Sequence, residues 1–95
     1  MAYVRLSIAQ PVRGQAERVE RIMRELTDAA GKSKGCTASY VLKSRDDSGE
    51  IARIAIYDDD TAADSAANDD HIMALRSELH LHIEPGHTER SFTTL

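Results

Sequence analysis

Arg5, Ser7, Arg53 and Tyr57 are the residues whose types and spacing could bind and activate a small molecule, with His71 as a possible proton acceptor. Arg5 and Ser7 stand two apart in one alternating run, and Arg53, Ala55 and Tyr57 stand two apart in another. In a strand, that spacing puts each set on one side. A guanidinium can hold an anionic or enolate oxygen. A phenol joins an apolar body to a hydrogen-bonding tip, and an imidazole titrates near neutral pH and can take up a substrate proton. Each residue also has a plainer reading. Tyr57 could plug one end of the fold, His71 could be a surface residue of a helix first turn, and the arginines could be ordinary sheet-surface or interface residues.

Other residue clusters point less to chemistry. His80, His82 and His87 with Glu84 and Glu89 raise the question of a metal. If 80–82 were extended, His80 and His82 would share a face, as ligands do in cupins. The segment instead continues a helical pattern and lacks the glycines and strands of that fold, so no metal is expected. Asp58-Asp59-Asp60 is explained by helix capping. Cys36, the single cysteine, reads as a small buried hydrophobe. It excludes an internal disulfide and a CxxC site.

The elements that must position these residues follow from periodicity. Tyr3 to Ala9 alternates Val4, Leu6 and Ile8 against Tyr3, Arg5 and Ser7, which predicts a strand. Residues 15–30 change period, with Ala16, Val19, Ile22, Met23, Leu26 and Ala30 on one helical stripe and Gly31 as the stop. Glu17–Arg21 and Glu20–Arg24 are spaced as i,i+4 pairs. Residues 35–44 form a second strand, with Cys36, Ala38, Tyr40 and Leu42 on one face. A polar turn with Gly49 sends a third strand, Ile51 to Tyr57, back antiparallel. Thr61 and Asp64 have capping-box spacing for a helix. Asn68-Asp69-Asp70 breaks that helix and caps another, lined by Ile72, Leu75 and Leu79 and fading near His80. After Pro85-Gly86, residues 87–95 alternate as a fourth strand.

The order β-α-β-β-α-β is the split βαβ, or ferredoxin-like, motif. It predicts an α+β fold, a four-stranded antiparallel sheet with helices on one face, as a single domain over residues 1–95. Ninety-five residues fit one domain of ordinary size, ~100–150 residues. The formal net charge of −4, from 16 acids and 12 bases, disfavours a nucleic-acid partner. No apolar run approaches the ~20 residues of a membrane span, and the N-terminus does not read as a signal peptide. With the lone cysteine, this predicts a cytoplasmic protein. The uncovered sheet face still carries apolar residues, and a second copy is its simplest cover, which predicts a homodimer.

Ile54-Ala55-Ile56-Tyr57-Asp58-Asp59, then an alanine-rich helix, then Asp70-His71, resembles the antibiotic-biosynthesis-monooxygenase-like domains of the dimeric α+β barrel superfamily. The opening strand leading to Pro11-Val12-Arg13-Gly14, the helix after it and the Gly35…Tyr40 strand add to the resemblance, which spans the whole chain. It implies a pocket on the helix-covered side of the sheet. With Tyr57 matched to the family aromatic, Tyr57, Ala55 and Arg53 point into that pocket, together with Arg5 and Ser7. Val4, Leu6, Ile8, Ile54 and Ile56 then form the dimer interface; alternation alone leaves the opposite parity open.

The implied activity is a cofactor-independent monooxygenase acting on a small aromatic or polyketide-like substrate. His71 would be the base, and Tyr57 or Arg53 would steady the oxyanion. The alternative is a non-catalytic small-molecule-binding or stress-response protein of the same fold. The family's haem-degrading branch uses an Asn on strand one and a Trp ending strand three, where this chain has Ser7 and Tyr57 and no Trp at all. An acylphosphatase phosphate loop and the stacking aromatics of an RNA-recognition motif are also missing.

Overall fold

The computed structural model describes residues 1–95. β1 (Tyr3–Ala9), β2 (Cys36–Lys43), β3 (Ile51–Tyr57) and β4 (Thr88–Thr93) form one antiparallel sheet in the order β2-β3-β1-β4. Helices α1 (Ala16–Gly31), α2 (Asp60–Ala67) and α3 (Asp70–His80) cover one face. The ferredoxin-like α+β fold is thus the one the element order predicts.

The core lies between sheet and helices. Val19, Ile22, Met23 and Leu26 of α1 are completely enclosed. Ile72, Leu75 and Leu79 of α3 and Ala63 and Ala66 of α2 pack beside them, against Ala9, Ile51, Ala55 and Tyr57 of the sheet. The parity that alternation left open is therefore decided. Arg5, Ser7, Arg53, Ala55 and Tyr57 are on the helix side, in the register Ser7↔Arg53 and Arg5↔Ala55. Val4, Leu6, Ile8, Ile54 and Ile56 are on the open side and only half-buried.

Several local expectations are corrected. α1 ends at Gly31, the expected stop, with Lys32 as its cap, but the left-handed turn comes later, at Gly35, where φ is +85°. A Cβ on Gly35 would lie 2.6 Å from the Ala62 Cβ, so this loop can pass beneath α2 only with glycine there. In β2 a bulge between Cys36 and Ala38 inserts Thr37. Cys36 consequently pairs with Tyr57 on the helix side, and Ala38, Tyr40 and Leu42 fall on the open side, against the single face expected from strict alternation. The α2 cap is Asp59, whose carboxylate accepts from the Ala62 N–H at 2.8 Å, in place of Thr61. Asp69 caps α3 through the Ile72 N–H at 3.1 Å. On α1, Ala16 is exposed while Thr27 joins the buried stripe. Arg21 pairs with Glu25 and reaches across to Glu78 rather than back to Glu17; Arg24–Glu20 forms at 3.9 Å.

Candidate functional site

Arg53 begins the site. Its alternation with Ala55 and Tyr57 carries it beneath the helices, where its Nε is sealed from solvent with no hydrogen-bond partner and its guanidinium makes no ion pair within 4.0 Å. Burial lowers its pKa below the usual guanidinium range, since desolvation disfavours the charged form. The two neighbouring cations are paired. Arg5 Nη2 lies 2.9 Å from Asp64 of α2, and Arg76 Nη2 lies 3.7 Å from Glu89 of β4.

These side chains wall a small divided cavity between sheet and helices. The first chamber is bounded by Arg5, Arg53, Tyr57, Arg76 and Glu89, with Ala63, Ala66 and Ile72 as its apolar side. It leaves ≈ 40 Å³ to the centres of water-sized molecules, room for a few waters. The second chamber, ≈ 10 Å³, adds Ser7, His80 and His87 and shares Arg53, Arg76 and Glu89 with the first. Tyr57 is 3 % exposed, and burial raises its phenol pKa above 10.0, so it is a neutral hydrogen-bonding group at physiological pH. Tyr3, at the sheet margin, goes the other way. Its hydrogen bond to Ser91 and then one to Arg5 lower its pKa, and Arg5 stands 5.5 Å from its ring centroid.

Of the residues singled out in the sequence, Arg5, Arg53 and Tyr57 meet in the first chamber and Ser7 lines the second. His71 joins neither. It is exposed on the first turn of α3, because that turn directs its neighbour Ile72 into the core. His82 is held in the return loop, where its carbonyl accepts from the Val12 N–H at 2.9 Å. Arg76 was missed, and Glu89 was considered only as a metal ligand. Arg76 is one residue past the inward Leu75 on α3, and Glu89 is opposite Ser7 across β1 and β4, so only the packed register unites them.

No protein-family model matches the sequence, and no curated protein resembles it in sequence. The fold does match solved structures. A protein from Mycobacterium tuberculosis, Rv0793, superposes with TM-score 0.91 at 14% identity, over 100% of this chain and 96% of that one. SnoaB, a cofactor-independent oxygenase from Streptomyces nogalater, superposes with TM-score 0.85 at 16% identity, over 99% and 93%. An antibiotic biosynthesis monooxygenase superposes with TM-score 0.87 at 19% identity, over 100% and 99%. At these identities the likeness is one of fold.

Proposed function

We propose that this chain, which has the fold of the antibiotic-biosynthesis-monooxygenase-like domains, is a cofactor-independent oxygenase of a small acidic phenol or enol. The observation that carries the reading is the half-buried guanidinium of Arg53, which has no ion-pair partner and an Nε sealed from solvent, in a cavity that already holds two further arginines. An uncompensated buried cation is costly, and an anionic ligand would remove that cost. Positive charge beside a bound phenol also lowers its pKa, so the substrate would ionise there and pass its proton to solvent. Its anion then gives four electrons to O2. A C–O bond forms at a ring carbon, which loses its hydrogen as a proton, and the O–O bond breaks. The second oxygen leaves as water with that proton and one taken back from solvent, leaving a quinone. Arg53 would steady the oxyanion and Tyr57 would donate a hydrogen bond to it. His71, outside the cavity, is not the base in this reading.

The functional unit in this proposal is a homodimer formed through Val4, Leu6, Ile8, Ile54 and Ile56. A second reading, an anion-binding protein without turnover, is favoured by the ≈ 40 Å³ first chamber, which is small for a fused aromatic system, and by the lack of an imidazole in it. Oxygen uptake with a panel of phenols, anthrones and quinols, paired with ligand-induced NMR shifts, separates the two. Uptake by wild type that falls at least about 100-fold in Arg53→Gln, the scale of losing one oxyanion donor, supports the oxygenase. Arg53-dependent binding without uptake supports the second reading, and neither binding nor uptake overturns both.

A further inference from the structure

We propose that His80, His87 and Glu89 form a binding site for one divalent transition-metal ion in the wall of the second chamber. The ligand atoms of these three side chains all lie within 4.8 Å of one another. His87 Nε2 is 3.7 Å from Glu89 Oε1, and the His80 and His87 rings are 4.8 Å apart, tilted by 37°. Two donors on a tetrahedral zinc-class ion, each at about 2.0–2.1 Å, stand about 3.3 Å from each other. The His87–Glu89 pair is therefore within a few tenths of an ångström of a shared ion, and the widest pair needs about 1.5 Å of closure. His80 and Glu89 are exposed, so their side-chain torsions are free to make that adjustment.

The backbone that brings the three together is held in place. The segment after α3 returns through two hydrogen bonds to the end of β1, Val12 N–H to the His82 carbonyl at 2.9 Å and Glu84 N–H to the Gln10 carbonyl at 2.8 Å. Ile83 bridges Pro11, and Gly86, with φ +86°, turns the chain so that His87 arrives beside the last residue of α3. His87 and Glu89 then share one side of the chain entering β4.

Charge and donor type narrow the ion. Glu89 Oε1, the oxygen 3.7 Å from His87 Nε2, also lies 3.7 Å from Arg76 Nη2, so a bound ion would share that carboxylate with a guanidinium. Two imidazoles with one carboxylate suit zinc, nickel, cobalt or ferrous iron and not calcium or magnesium, which take oxygen ligands. Three protein donors leave an open coordination position, in a chamber wall that also contains Arg53 and Arg76. This departs from the sequence-based expectation of no metal, and it does not depend on the oxygenase reading.

The test is a cobalt(II) titration of untagged protein, read by visible d–d absorption and by paramagnetic broadening of histidine ring signals. The expected result is saturation at one cobalt per chain with broadening of His80 and His87. His87→Ala and Glu89→Gln should each weaken binding by more than about 100-fold, beyond the loss of a mere supporting group, and His82→Ala should leave it unchanged. Amide NMR spectra of the metal-free variants establish that they are folded. No saturable binding, or binding indifferent to both His87→Ala and Glu89→Gln, overturns the proposal.

Discussion

Arg53 combines two properties that stability alone would not select together. It is half-buried against the core with its Nε shielded from solvent, and it lacks the carboxylate that Arg5 finds in Asp64 and Arg76 finds in Glu89. Replacing a poorly compensated buried charge with an apolar side chain of similar length is often neutral or stabilising. Arg53→Met is therefore expected to raise unfolding stability by about 1 kcal/mol while removing anion binding. Urea denaturation, with phenolate binding followed by NMR, checks both halves. A loss of stability would mean that Arg53 supports the fold through its packing. The residue types of this site were readable from the sequence, since alternation put Arg5, Ser7, Arg53 and Tyr57 on common faces. The pairing state of each arginine was not, because their partners come from α2 and β4.

The elements were largely legible because their apolar periods are clean, and the departures occur where tertiary packing overrides a local signal. Thr61 and Asp64 have capping-box spacing, yet α2 starts earlier at Asp60, and Asp64 is instead spent on Arg5. Asp59→Ala is expected to cost about 1 kcal/mol, the usual value of a lost N-cap hydrogen bond, and Thr61→Ala less than about 0.5 kcal/mol, as for a surface change. Thermal unfolding of the two variants distinguishes the caps, and equal losses would contradict the Asp59 assignment. The bulge at Thr37 is a similar case. Nothing in the residues 36–42 marks an extra residue; the register appears only when β2 lies against β3. Gly35 was placed at the start of a strand, but its role is to let the chain pass within contact of Ala62.

At the scale of the whole molecule, the open sheet face is the feature that a single chain leaves unfinished. The accessible surface of the whole chain is 6200 Å², whereas a compact monomer of 10.5 kDa exposes about 5400 Å². The excess, roughly 800 Å², is what one partner buries in a standard protein interface. Tyr40, Leu42 and Phe92 stand on that face at 58%, 41% and 46% exposure, beyond the half-buried Val4, Leu6, Ile8, Ile54 and Ile56. Wild type is expected to sediment as a dimer. Ile54→Glu, placing a charge at the centre of the face, should yield a folded monomer by sedimentation and circular dichroism. A wild-type monomer at micromolar concentration would contradict the interface.

By itself the sequence determined the element order, the fold class and the two faces of β1 and β3, because strand and helix periods are written locally in the chain. It also determined that three polar residues and a tyrosine share one side of that sheet. Only the tertiary structure decided that this side lies under the helices. It set His71 outside the cavity and brought Arg76, Glu89, His80 and His87 to its walls. Those placements depend on how α3 and the return loop pack against β1 and β4, and residues far apart in the chain carry no local pattern that records their contact.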